Sequence, residues 1–136
     1  MIEYRTDRAP SVPEFADLLR RSTLAERRPV DDAAALAAML EHANLVVSAW
    51  QEGRLVGVAR SLTDFAYCCY LSDLAVDASL QRAGIGRALI AATQAALGPR
   101  AKLILLAAPA AMDYYPRLGF DAHPSAWWIG SRTPLR

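Results

Sequence analysis

Residues 67–108 run apolar, then amphipathic, then apolar: YCCYLSDLAV, a helical stretch from about Gly84 to Leu97 stopped by Gly98-Pro99, and KLILLAA. That succession reads as a strand, a helix and a strand, so strands 67–76 and 102–108 should be parallel, joined by a right-handed crossover. The second run is almost uninterrupted in apolar residues, as expected of a strand buried on both faces. Upstream, LVVSAW (45–50), the turn QEGR and LVGVARSL (55–62) form an antiparallel hairpin pattern. The loop TDFA then leads into strand 67–76 and is too short for anything but antiparallel pairing.

The remaining elements frame this core. IEYR is a short first strand. Ser11 and Glu14 make an S-x-x-E capping box ahead of a helix carrying Phe15, Leu18 and Leu19. LAERRP interrupts it, and Asp31 or Asp32 caps a second helix through Met39 and Leu40. A short helical stretch ends at Leu118-Gly119, and SAWWI (125–129) supplies a last strand with one tryptophan in the core and the other lining a cleft or an interface. The order β-α-α-β-β-β-α-β-α-β predicts a mixed α/β (α+β) sheet, mostly antiparallel, with helices on both faces.

Composition narrows the function classes. A chain of 136 residues, 54% hydrophobic and 21% charged, suits one folded domain over residues 1–136 rather than a disordered segment. Fifteen basic residues against 14 acidic ones leave a net charge of +1, which argues against a nucleic-acid partner. MIEYRTDRAP has no apolar core of signal-peptide length, and no run approaches the roughly 18 residues of a membrane span. Cys68 and Cys69 are neighbours, so on a strand they point to opposite faces; two reduced core thiols and a cytoplasmic location are expected.

The stretch QRAGIGRALI (81–90) sets two glycines and two arginines at the start of a helix. Unpaired N–H groups and the positive end of the dipole attract an anion there, and glycines let a phosphate approach the backbone. It is not a P-loop, because G-x-x-x-x-G-K-[ST] is absent. It is not a dinucleotide fingerprint either: Leu89 stands where a third glycine belongs, and no acidic residue follows about 20 positions on.

LAVDASLQRAGIGRALI resembles the core signature of the GNAT superfamily, the GCN5-related N-acetyltransferases, whose mark is Q/R-x-x-G-x-G/A; here it reads Gln81-Arg82-Ala83-Gly84-Ile85-Gly86. AMDYYPRLGF (111–120) is similar to the family's later motif, a tyrosine followed by three residues and Gly-Phe. The element order agrees along nearly the whole chain. The resemblance implies a central parallel strand pair that splays apart around acetyl-CoA. It implies that Leu74, Ala75 and Val76 hydrogen-bond the pantetheine arm and that amides from Arg82 to Arg87 cradle the pyrophosphate. A bulge near Leu74 would turn an N–H toward the thioester oxygen.

By the same resemblance the chain is an acetyl-CoA-dependent N-acetyltransferase. Transfer to the amine is direct, without a metal or a covalent enzyme intermediate, and the acceptor is a small molecule or peptide; a homodimer is compatible with this. Tyr115 occupies the general-acid position, and Tyr114 packs into the core or against the coenzyme. Asp73, an acid within an apolar strand, is the base, a ligand of a cationic acceptor, or an ion-pair partner of Arg60. AERRP falls in the acceptor wall, where Arg27 and Arg28 meet an acceptor carboxylate or remain a solvated turn. His42 reads as a solvated helix end and His123 as a loop residue. Two features depart from the family pattern. Ala108 replaces a coenzyme-binding asparagine, and Pro116 puts Tyr115 at a helix break. The rival reading is a coenzyme-A-binding sensor without catalysis.

Overall fold

A computed structural model describes residues 1–136, which form two compact units, Met1–Leu106 and Ala107–Arg136. The first unit holds a five-stranded sheet whose strands lie in chain order: β1 (Glu3–Arg5), β2 (Leu45–Gln51), β3 (Arg54–Thr63), β4 (Cys68–Val76) and β5 (Lys102–Ile104). Neighbours are antiparallel except β4 and β5, which are parallel. This is the mixed, mostly antiparallel α/β sheet that the sequence predicts, but the parallel pair lies at one edge and not at the centre, because no strand follows β5. No helix is long and apolar enough to cross a membrane.

Local chemistry sets the elements. Glu52 and Gly53 both take left-handed backbone (φ 50° and 77°), the mirror-image turn that matches strand twist in a two-residue hairpin. α1 (Val12–Arg21) starts on the complete capping box of Ser11 and Glu14, buries Phe15, Leu18 and Leu19, and ends in Arg20 and Arg21. For α2 (Ala33–His42) the cap is Asp32, which accepts from the Ala35 N–H at 3.0 Å. α3 (Ile85–Ala95) follows Gly84 and buries Ile85, Leu89, Ile90 and Thr93.

The helices take opposite faces of the sheet. A Cβ built on Gly57 would stand 3.0 Å from both Ile85 and Leu89, so α3 presses onto β3 there. Arg60, three residues further along β3, points the other way and donates to the Met39 carbonyl of α2 at 3.1 Å.

Three expectations need correction. β5 covers Lys102–Ile104 rather than 102–108, and Lys102 and Ile104 are exposed rather than buried on both faces. It is the last strand of the sheet, so one edge has no neighbour and one face stays open. Residues 125–129 form no strand, because no ladder partner lies beside them to satisfy extended backbone. Trp127 and Trp128 are accordingly 90% and 82% exposed, and neither is core. Both cysteines are free, but only Cys69 is buried; Cys68 faces solvent.

The second unit contains a short 3₁₀ turn, Pro109–Ala111, and α4 (Tyr114–Arg117). Pro116 does not break α4. It lies in the first turn, where its missing N–H would have no partner in any case.

Candidate active site

β4 is paired unequally on its two edges. Along β3 the register runs from Cys69 to Val76, whereas along β5 it stops at Tyr70↔Ile104. From Leu71 to Val76 the edge facing β5 therefore has no strand partner, and the parallel pair parts. Asp73 pairs with Arg60 but Leu71 with Ser61, so Ser72 is an extra residue, a bulge two positions before the expected Leu74.

The carboxylate after this bulge has no solvent exposure. Arg28 donates through Nε to Oδ1 of Asp73, and Arg60 donates through Nε to Oδ2. Arg28 also reaches the carbonyl of the bulged Ser72 at 2.8 Å, and Arg60 reaches the Ser72 hydroxyl at 2.9 Å. Asp73 is thus the ion-pair partner of Arg60, one of the roles open in the sequence, and has a second arginine besides. Arg28 is the residue that sequence reasoning underused. Its signal was a basic pair in a turn, which says nothing about a carboxylate far along the chain.

The strand end and the helix start are neighbours. Val76 sits opposite Gly57, the glycine against which Ile85 packs. Between them Asp77 accepts from the Ser79 N–H and hydroxyl and from Arg21 at 2.5 Å. The Ser79 hydroxyl first, then the Ser79 amide and Arg21, hold its carboxyl below the usual aspartate range. Arg82 (φ 71°) and Gly84 (φ 81°) are both left-handed and swing the chain into α3.

The first helical bond is Ala88 N–H to Gly84 O, so the amides from Gly84 to Arg87 have no partner within the helix. Gln81, Arg82, Ala83, Gly84 and Arg87 are exposed, and the arginines enter no ion pair. A Cβ on Gly84 would meet nothing within 4 Å. Ile85 alone turns its side chain inward, 2% exposed. Leu74 and Val76 are half-buried and Ala75 is buried on the edge that β5 leaves free. This open strand edge leaves backbone groups free for an extended chain, and the bare helix start leaves amides free for an anion.

In the second unit Tyr115 is half-buried, with its ring edge-on to Tyr114 at 5.2 Å and to Phe120 at 5.4 Å. Burial, and to a lesser degree Tyr114, push its phenol above the ordinary value of 10.0. Tyr114 is 36% exposed rather than core. His42 and His123 are exposed, and His123 accepts from the Ser125 N–H at 3.2 Å.

Residues 22–126 match the family model described as an acetyltransferase (GNAT) domain. The chain belongs to the GNAT acetyltransferase family. One curated relative, the chloroplastic GCN5-related N-acetyltransferase 2 of Arabidopsis thaliana, is 37% identical over 76 residues, covering 54% of this chain and 30% of the relative. The GNAT chain therefore spans less than a third of that relative. Among solved structures, a GNAT-family acetyltransferase from Streptococcus pneumoniae superposes with a TM-score of 0.74 at 20% identity, covering 97% of this chain and all of its own. An aminoglycoside N-acetyltransferase solved with CoA gives 0.73 at 19%, covering 98% and 96%. At those identities the likeness is one of fold.

Proposed function

We propose that this GNAT chain is an N-acetyltransferase domain that takes acetyl-CoA as donor and an amine as acceptor. The observation that carries the reading is the unpaired β4 edge from Leu71 to Val76 ending beside the bare start of α3. When bound, acetyl-CoA supplies a thioester whose acetyl group passes to nitrogen, while its sulfur leaves as a thiol. In the proposal the backbone of Leu74, Ala75 and Val76 holds the pantetheine arm as an added strand would. The amides and arginines between Gln81 and Arg87 hold the pyrophosphate.

In the proposal Tyr115 carries the proton for the departing sulfur; a phenol at its ordinary value of 10.0 already holds that proton at neutral pH, and burial moves it further in the same direction. Asp73 has an arginine on each oxygen, so its part is to fix Arg28, Arg60 and the bulge, and not to accept the amine's proton. A reducing compartment such as the cytoplasm suits the two free cysteines.

The test is calorimetry with CoA followed by thiol release from acetyl-CoA over a mixed amine library. Binding with amine-dependent release supports the reading. Binding without release for any amine would favour the sensor, and no binding would sink both.

A further inference from the structure

Three apolar side chains line up at the root of the split. Leu62 of β3 pairs with Tyr70 of β4, and Tyr70 pairs with Ile104 of β5, the last pair before the strands part. Directly paired residues share a face, and these are 41%, 41% and 54% exposed. Leu62 follows Arg60 by two residues, so the strip lies on the face of the Arg60–Asp73 ion pair. Its other border is the next pair, Cys68 with Lys102, both exposed.

Charge around the strip is biased to one sign. Two guanidinium groups meet a single buried carboxylate at Asp73, and Lys102 stands opposite. Asp64, in the β3–β4 turn, accepts from the amides of Ala66, Tyr67 and Cys68 through one oxygen, which keeps it ionised and trims the excess to about one positive charge without reversing it. Glu26 lies beside Arg27 on the 3₁₀ turn Ala25–Arg27.

We propose that this strip receives the acceptor, and that the acceptor is a primary amine on an aromatic or aliphatic body without a second positive charge. The inference rests on the N-acetyltransferase reading. An apolar body covers Leu62, Tyr70 and Ile104 and gains by removing them from water. A polycation gains little from them and meets the excess of positive charge. The same excess lowers the pKa of an approaching ammonium and so raises the share of neutral amine, the form that attacks a thioester. Acceptor choice thus departs from the aminoglycoside class named for the structural neighbour.

The experiment compares 2-phenylethylamine, spermidine and kanamycin with acetyl-CoA by thiol release, with CoA calorimetry alongside. Phenylethylamine is expected to exceed both polycations by about tenfold or more in kcat/KM, equivalent to 1.4 kcal/mol. Leu62→Lys and Ile104→Lys, both at exposed positions, should raise its KM about fivefold with CoA affinity unchanged. Preference for a polycation, or an unmoved KM in both variants, overturns the inference while CoA binding leaves the functional reading standing. A dimer in sedimentation that either variant splits, with KM unchanged, overturns it in favour of a self-association surface. Absence of both CoA binding and turnover overturns inference and functional reading together.

Discussion

Arg28 and Asp73 stand 45 positions apart in the chain and meet inside the fold, the guanidinium Nε donating to a carboxylate with no solvent exposure. Arg60 takes the second oxygen from the neighbouring strand. A turn outside the sheet is thereby tied to the bulge at which β4 begins to part from β5.

Asp73→Asn should be costly, because it leaves two arginines without their carboxylate. Removing one partner of a buried ion pair costs roughly 3–5 kcal/mol, to be read from urea unfolding. If enough folded variant remains at low temperature, its rate should keep the wild-type pH profile. Loss of the acidic limb would instead restore Asp73 as the base.

Gly86→Asp tests the cradle at the start of α3. A carboxylate beside the first-turn amides repels a pyrophosphate, so CoA affinity should fall by about tenfold or more, 1.4 kcal/mol. Circular dichroism should report an intact fold. Unchanged affinity in the folded variant would remove the pyrophosphate from this turn.

Tyr115→Phe keeps the ring that faces Tyr114 and Phe120 and removes only the hydroxyl. CoA affinity should hold while kcat drops by about 10² to 10⁴. The group is active when protonated and its pKa is raised above 10.0, so an alkaline fall in the wild-type rate should begin only as pH climbs beyond that value, while below it the rate follows the share of neutral amine. Tyr114→Phe is the control. Equal turnover by the two variants would show that Tyr115 is not the acid.

Gly57→Val probes packing alone. Even a Cβ would stand 3.0 Å from Ile85 and Leu89 and 3.3 Å from Ala49, and the extra methyls force α3 away from β3. Overpacking of this kind costs about 1–3 kcal/mol, visible as a lower urea midpoint with an unchanged slope. A midpoint equal to wild type would mean that α3 is free to shift.

Elements governed by neighbours in the chain were legible in the sequence. The Ser11–Glu14 capping box, the Glu52-Gly53 turn, the parallel crossover through α3 and the glycines at its start all follow from local hydrogen bonding, φ preference and periodicity. Tertiary structure decided the rest, because it turned on which strands find partners. KLILLAA is apolar throughout, yet β5 stops at Ile104, where its pairing with β4 ends. SAWWI has strand-forming residues but no ladder to join. Asp73 was legible as an acid out of place in an apolar strand. That an arginine from a distant turn shares its carboxylate with Arg60 is a long-range contact, and no local pattern encodes it.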